Sequence, residues 1–294
     1  NHEHAVLIEP ETWSAEVGEA VPVRFLAVDG TGPARRGRLR WRTEQASGEV
    51  SAPGDTVLIP MPPAGESCLV SVQAEWVEDD RVLAANRIEL TCLAIPPWDG
   101  AVHFAGDPAL ALALRDAGYE AATGASDARL LITDNLSDAT LGRVRNGAQA
   151  VWFVDARAEP AAPMQLAFLG DQTRILAREG TWWQGDWASS CSWLRKTGPF
   201  AHLPGDPMLE MAFADIMPRH VLTLETHRLL KQNIWAGLAV GWLQKVVGLI
   251  AYMDYGRGSL VICTMRLTPD RIRANAAARA VVRGLVALAA TGGR

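Results

Sequence analysis

Four tryptophans, one aspartate and one cysteine crowd the stretch TWWQGDWASSCSWLRKTGPF at positions 181–200. Nearby glycines favour a loop, and the four indole rings cannot share one face of a helix. Exposed indole rings stack on the apolar C–H faces of sugars, while neighbouring polar groups bond to the hydroxyls. The alternative is a packed seam between two domains that buries the same rings. The candidate sugar platform consists of Trp182, Trp183, Asp186, Trp187 and Trp193.

Cysteine and histidine side chains could instead supply a nucleophile and its base. A thiol nucleophile in an α/β hydrolase needs a sharp turn from a strand into a helix, where its sulfur is exposed. The predicted strand AVWFVDA runs into DARAEPAAP, which contains no cysteine. Cys191 follows no predicted strand, and Cys263 lies inside an apolar strand, where a thiol is inert. His220 and His227 have ordinary neighbours, so we assign no catalytic residue.

Other site chemistries find little support in the sequence. Neither G-x-G-x-x-G nor G-x-x-x-x-G-K-[ST] occurs, so no phosphate-binding loop is predicted. The four cysteines show no C-x-x-C spacing, which argues against a zinc ribbon. Glycoside hydrolysis uses two carboxyl groups about 5–9 Å apart, but no spacing here forces two acids together. The acids considered in the second half are Asp186, Glu210, Asp215 and Glu225. We therefore expect neither a cofactor nor a metal.

Composition limits the class of protein. The chain has 294 residues, of which 49% are hydrophobic and 21% charged, and this length favours about two domains. No uninterrupted apolar run reaches the roughly 20 residues needed to span a bilayer, and we expect no membrane partner. The first 97 residues carry a charge of −7 and the remainder +2. Because neither part has a basic stripe, we expect no nucleic-acid partner.

The first third of the sequence alternates with a period of two. In GRLRWRT, Leu39 and Trp41 alternate with arginines, and SCLVSVQAEW behaves in the same way. Such alternation is typical of half-buried antiparallel strands. Six or seven short strands separated by turn signals predict an immunoglobulin-like β-sandwich over residues 1–97. Cys68 and Cys92 lie on apolar strand faces, and they either pair or remain buried thiols in a reducing cytosol.

Paired prolines in AIPPWDG end this alternation, and the pattern changes to strand followed by helix. Asp107 and Ser137 are predicted helix N-caps, and a final helix is predicted from Thr268 to about Ala290. Strands alternating with helices indicate right-handed crossovers and a mostly parallel sheet. We therefore predict a flavodoxin-like or class I glutamine-amidotransferase-like α/β domain over residues 98–294. Its last strands are AGLAVGWL, VVGLIAYM and SLVICTM, the final two joined by the turn DYGRG.

Four segments resemble parts of a known family. GTWWQGDWASSCSWLRKTGPFAHLPGDPMLEMAFADIMPRHVL and AGLAVGWLQKVVGLIAYMDYGRGSLVICTMRL resemble the C-terminal accessory region of bacterial glycoside hydrolase family 2 proteins, which are relatives of β-galactosidase. ITDNLSDATLGRVRNGAQAVWF resembles the amidotransferase-like domain found there, and VLAANRIELTCLA resembles the last strands of the immunoglobulin-like domain before it. The resemblance implies a parent enzyme that cleaves β-glycosides with retention, using two glutamates in a (β/α)₈ barrel.

The family's acid/base glutamate follows an asparagine, and no Asn-Glu dipeptide occurs in this chain. No catalytic residue can therefore be carried over, and the resemblance implies a non-catalytic accessory region. Its partners would be carbohydrate, a second copy of the chain, and a catalytic domain that precedes this region in the same polypeptide. The absence of a starting Met suggests this last partner. A Cys-dependent amidotransferase-like hydrolase and an oligomerisation scaffold remain alternatives. Buried free thiols would be typical of a reducing cytosol, and we favour a cytoplasmic localisation.

Overall fold

The computed structural model describes two compact units, Asn1–Ile95 and Pro96–Arg294, called here the sandwich unit and the α/β unit. Among the described residues, no helix is both long and apolar enough to cross a membrane. The structure describes residues 3–34, 36–122, 129–157, 163–170, 172–178, 192–224, 233–240 and 245–292.

The sandwich unit is built from strands, and its described part contains nine of them. They are β1 (His4–Pro10), β2 (Ser14–Glu16), β3 (Ala20–Asp29), β4 (Gly32–Pro33), β5 (Arg38–Arg42), β6 (Ser47–Ser51), β7 (Gly54–Pro60), β8 (Cys68–Glu78) and β9 (Arg81–Leu93).

These strands form two sheets that share one apolar core. In the first sheet β3 pairs with β1 on one side and with β4 and β7 on the other; the second has the order β2-β9-β8-β5-β6. The predicted alternation is confirmed in β5, where Leu39 and Trp41 are buried and Arg38 and Arg42 are exposed. Phe25 of the first sheet stacks on Trp41 of the second, with ring centroids 6.2 Å apart. The unit is therefore a β-sandwich, and its immunoglobulin-like assignment stays a prediction.

The α/β unit combines ten strands and four α-helices in its described part. The strands are β10 (His103–Ala105), β11 (Leu130–Thr133), β12 (Gln149–Phe153), β13 (Met164–Gln165), β14 (Arg174–Ala177), β15 (Ser192–Leu194), β16 (His220–Thr223), β17 (Ile234–Val240), β18 (Lys245–Tyr255) and β19 (Gly258–Cys263); the helices are α1 (Pro108–Asp116), α2 (Asp138–Arg145), α3 (Pro269–Ala274) and α4 (Ala276–Thr291).

One mixed sheet joins all ten strands. β10, β11, β12 and β19 are parallel neighbours in that order, whereas β18 is antiparallel to β19. β16 and β17 pair with β18, and β13, β14 and β15 extend this half with antiparallel pairs only. The prediction of a mostly parallel sheet is therefore wrong. A tight turn at Gly256 and Arg257 joins β18 to β19, which makes that pair antiparallel. The strands on the far side of β18 in the sheet also pair in antiparallel fashion.

Local sequence signals fixed the helix starts. The Asp107 side chain accepts a hydrogen bond from the Ala109 N–H at 2.8 Å, and Ser137 accepts one from Thr140 at 3.2 Å, so both predicted N-caps are confirmed. The single final helix is wrong, because Asn275 has an extended backbone (φ −122°, ψ 118°) that separates α3 from α4. Its side chain caps α4 by accepting from the Ala278 N–H at 3.0 Å.

Helix α4 packs most of its length into the α/β unit. Its residue Gly284 lies under the ring of Phe200, which is fully buried in a short 3₁₀ turn, Gly198–Phe200. A β-carbon at position 284 would collide with two ring carbons of Phe200. Glycine is therefore required here for close approach, although it is a poor helix former.

Candidate functional site

The tryptophan-rich stretch is only partly described. Trp182, Trp183, Asp186 and Trp187 lie outside the described residues, as do Cys191, His227 and Glu225. Trp193 is described and lies in β15, where it pairs with Gly237 of β17.

Trp193 is half-buried and packs against the core of the α/β unit. A β-carbon at Gly237 would lie 2.7 Å from Cζ2 of this indole, so the ring covers the glycine. Part of the ring is therefore committed to packing, and a sugar could reach only the remainder. Sugar contact by Trp193 stays a prediction.

Polar side chains gather where the four parallel strands end. Parallel strands present their carboxyl ends at one edge of a sheet, and ligand sites of open α/β sheets lie in the crevice outside that edge. We call this the carboxyl edge, and its residues are Gly106 after β10, Asp134 after β11, Asp155 and Arg157 after β12, and Thr264 to Arg266 after β19.

Asp155 is the most enclosed acid of the carboxyl edge, with no exposed surface. Arg219 donates to its Oδ1 from Nε at 3.2 Å and from Nη2 at 2.9 Å, and the Arg219 backbone N–H donates to Oδ2 at 2.9 Å. The buried His220 adds Nδ1 at 3.3 Å from Oδ1. A buried carboxylate is tolerated when its oxygens receive charge-assisted donors. This cluster therefore holds β12 to the segment before β16.

Asp134 forms a second ion pair at the carboxyl edge. Its side chain is 1% exposed, and Arg157 donates from Nε to Oδ2 at 3.0 Å. The Asp107 backbone N–H donates to the other oxygen at 3.2 Å. Gly106 has a φ of +131°, and a β-carbon there would collide with Oδ1 of Asp134. Glycine at this turn therefore allows the carboxylate to reach the loop that starts α1.

Cys263 is the described cysteine nearest to this edge. It is fully buried in β19, and burial raises the pKa of its thiol to about 12, with the charge of Asp155 acting in the same direction. A nucleophilic cysteine requires an accessible thiolate. Cys263 therefore fails both requirements, as the sequence indicated.

Cys68 and Cys92 lie directly opposite each other on β8 and β9, and both are free thiols. Burial, and then the neighbouring Cys68, raises the pKa of Cys92 to about 11. Cys68 is half-buried, whereas Cys92 has no exposed surface.

Thiol labelling checks this difference. We expect a Cys191→Ala chain treated with an aromatic disulfide reagent at about pH 8 to react rapidly at Cys68 only. Cys92 would hold about one thiolate in a thousand molecules at that pH, and Cys263 about one in ten thousand. Both should react after unfolding in urea. Rapid labelling of Cys263 in the folded chain would contradict the burial described here.

The sandwich unit carries a groove of about 320 Å³ on the outer face of β5, β6 and β8. Arg42 donates from Nε and Nη2 to Oε1 of Gln73 at 3.0 and 2.8 Å, and Arg40 donates to Glu49 at 2.9 Å. These contacts fix the side chains and leave other donor and acceptor atoms along the groove. The polar residues that line it are Arg40, Arg42, Ser47, Glu49, Gln73 and Glu75.

The remaining candidate acids do not form a pair that matches glycoside hydrolysis in the described contacts. Asp215 is engaged by Arg271 at 3.6 Å and by the Asn275 amide at 3.4 Å. Glu210 precedes a 3₁₀ helix, Met211–Ile216. Within the described ranges, no group of three or more His, Cys, Asp or Glu side chains could hold a metal ion.

Sequence reasoning missed the acids of the carboxyl edge. Asp134 directly follows LLIT, and Asp155 directly follows AVWFV. Acids at the ends of successive parallel strands are a recognisable signal, because such ends converge. Arg219 carries no comparable signal, since it lies 64 residues from Asp155 in the sequence.

The chain matches no protein-family model and no curated protein sequence. Parts of it are structurally similar to glycoside hydrolase family 2 proteins. One such member, from Bacteroides cellulosilyticus DSM 14838, is 14% identical over 49% of this chain and 26% of that chain, with a TM-score of 0.22. A second structure from Bacteroides cellulosilyticus is 13% identical over 49% of this chain and 24% of the other, with a TM-score of 0.21.

A candidate β-galactosidase from Bacteroides fragilis is also similar in part. It is 11% identical over 51% of this chain and 29% of that chain, with a TM-score of 0.22. The chain thus spans between a quarter and a third of the length of these solved chains.

Proposed function

We propose that the chain is a non-catalytic accessory region of a glycoside hydrolase family 2 enzyme that acts on β-glycosides. In this proposal residues 1–97 are an immunoglobulin-like domain and residues 98–294 an amidotransferase-like domain. The support is the sequence resemblance of the four quoted segments, together with the order of a β-sandwich followed by an α/β unit. The region would contact sugar, complete the cleft of a catalytic barrel or join subunits.

The non-catalytic part of this proposal is supported by the ion pairs and the buried thiol at the carboxyl edge. A hydrolase of this architecture would present its nucleophile there. Instead, Asp155 is enclosed by Arg219 and His220, and Asp134 is held by Arg157. Cys263 at the end of β19 is buried, and its thiol pKa is raised to about 12. Side chains held in ion pairs in this way stabilise the fold rather than take part in catalysis.

An assay of the chain alone tests this proposal. We expect no hydrolysis of nitrophenyl β-galactoside, β-glucoside, β-mannoside or β-glucuronide above the rate in buffer. The alternative of a thiol hydrolase predicts esterase or amidase activity that Cys191→Ala removes. Hydrolysis that co-purifies with the chain and is lost in Glu210→Gln or Asp215→Asn would overturn the proposal.

The accessory role needs a longer polypeptide that contains a family 2 catalytic barrel followed by this region. Deleting the region is expected to lower kcat/KM or change the oligomeric state. The barrel would keep both glutamates but lose the region that completes its cleft or joins its subunits. An unchanged kcat/KM together with an unchanged mass by light scattering would contradict an accessory role.

Two surfaces are available for the proposed sugar contact. The first is the tryptophan platform of the sequence analysis, and the second is the groove beside Trp41 in the sandwich unit. Calorimetric titration with β-linked oligosaccharides separates them, because Trp187→Ala alters the first and Arg42→Ala the second. Arg24→Ala is the matched control, since Arg24 is 60% exposed and lies on the other sheet. No heat from any saccharide would leave cleft completion or subunit contact as the accessory role.

A further inference from the structure

Arg266 is the charged residue of the carboxyl edge that the ion pairs described above do not use. It follows the end of β19 by three residues. Its backbone N–H donates to the Ile216 carbonyl at 2.9 Å, which ties it to the segment that carries Asp215 and Arg219. Its side chain therefore belongs to the edge where the parallel strands converge.

One donor of the Arg266 guanidinium lacks a hydrogen-bond partner, although the side chain as a whole is only partly buried. The Nε atom is buried and has no hydrogen-bond partner. Among the described residues, no carboxylate oxygen lies within 4.0 Å of this side chain. A buried donor left unpaired is destabilising, and more so when it belongs to a charged group. The orphaned Nε–H of Arg266 therefore calls for an explanation.

The surroundings of Arg266 add positive charge. Arg219 and Arg271 both repel it, and these repulsions, after burial, lower the pKa of its guanidinium. The two nearby acids are already engaged, Asp155 by Arg219 and His220, and Asp215 by Arg271 and Asn275. Three guanidinium groups thus share two carboxylates, and the excess positive charge belongs to the residue with the unpaired donor.

We propose that Arg266 anchors a binding site for one small oxyanion at the carboxyl edge, flanked by Arg219 and Arg271. The fork of a guanidinium group matches the paired oxygens of a carboxylate or a phosphate. A bound oxyanion would accept the orphaned Nε–H and neutralise the surplus charge. The site would hold either a free phosphate or the carboxylate of an organic acid, and it requires no other part of the proposed function.

Thermal unfolding with defined anions tests the site. At constant ionic strength, phosphate or acetate replaces chloride in steps, since binding to the folded state alone raises the unfolding temperature. We expect a saturable rise with at least one of the two anions. The anion with the lower half-saturating concentration identifies the class of ligand. A flat response to both, or a rise that never saturates, would overturn the proposal.

Variants at position 266 assign the effect to the side chain. Arg266→Met is expected to abolish the saturable rise while unfolding in chloride at or above the wild-type temperature, because it removes a buried donor that has no partner and relieves the repulsion from Arg219 and Arg271. Arg266→Lys keeps the charge without the fork, and its half-saturating concentration should rise at least tenfold.

Arg257→Met is the matched control, since Arg257 is exposed at the turn between β18 and β19. It should leave the response to anions unchanged. An undiminished rise in folded Arg266→Lys protein, or an equal loss in Arg257→Met, would refute Arg266 as the anchor.

Discussion

Replacing Asp155 with alanine is expected to lower the free energy of unfolding of the α/β unit by about 3–5 kcal/mol. The change removes a fully buried carboxylate and leaves the Arg219 guanidinium, whose side chain is only 26% exposed, without the oxygen that accepts from both its Nε and its Nη2. Breaking a buried ion pair from one side costs far more than the pair contributes, because the remaining charge stays desolvated. Urea-induced unfolding followed by circular dichroism measures the loss.

Two further variants show whether the ion pair causes this loss. Asp270→Ala removes an acid that is 98% exposed and lies 3.8 Å from Arg273, so it should cost at most about 1 kcal/mol. Arg219→Met combined with Asp155→Ala should cost less than the two single changes added together, since neither charge then remains alone. If Asp155→Ala stays within about 1 kcal/mol of the wild type, the cluster does not stabilise the fold.

Truncating Phe200 to alanine is the second change with a large expected effect, a loss of about 3–5 kcal/mol in the free energy of unfolding. The ring is fully buried between Gly284 of α4 and Trp235, whose ring centroid lies 6.1 Å away. Its removal leaves a cavity between a helix and the sheet that neither can close by moving alone. The same urea unfolding experiment measures this loss.

The effect of Gly284→Ala on the free energy of unfolding should change sign when Phe200 is removed, which gives a more specific test of this packing. In the wild type the new β-carbon collides with the Phe200 ring, so the variant should be destabilised although alanine favours helix by about 1 kcal/mol. In a Phe200→Ala background the same change should stabilise the chain. Gly142→Ala in α2 is the control, since no atom lies within 4 Å of its added β-carbon. An identical effect of Gly284→Ala in both backgrounds would contradict the packing.

The features that depended on neighbours in sequence were predictable. Asp107 and Ser137 cap helices through hydrogen bonds that span two or three residues, and the strand alternation around Trp41 reflects a period of two. The break at Asn275 was equally local, and an asparagine directly before a run of three alanines was the signal that should have split the final helix.

Features that join distant segments could not be predicted from local patterns. β12 and β19 are parallel neighbours although about 100 residues separate them, and no periodicity encodes that pairing. The enclosure of Asp155 by Arg219 depends on the same kind of distant contact. Both acids of the carboxyl edge could have been expected from their places after strands, but the arginines that neutralise them could not.

The position of β19 in the sheet also bears on how the chain folds during synthesis. The strands of the sandwich unit, β1 to β9, all precede residue 95, so this unit can fold as soon as β9 has left the ribosome. The apolar strand β12 emerges roughly 5–20 s before its neighbour β19 at ordinary rates of translation. Throughout that interval one edge of β12 has no native partner and can template pairing with another nascent chain. The yield of soluble protein should therefore depend on chaperones that cover this edge until the last strand arrives.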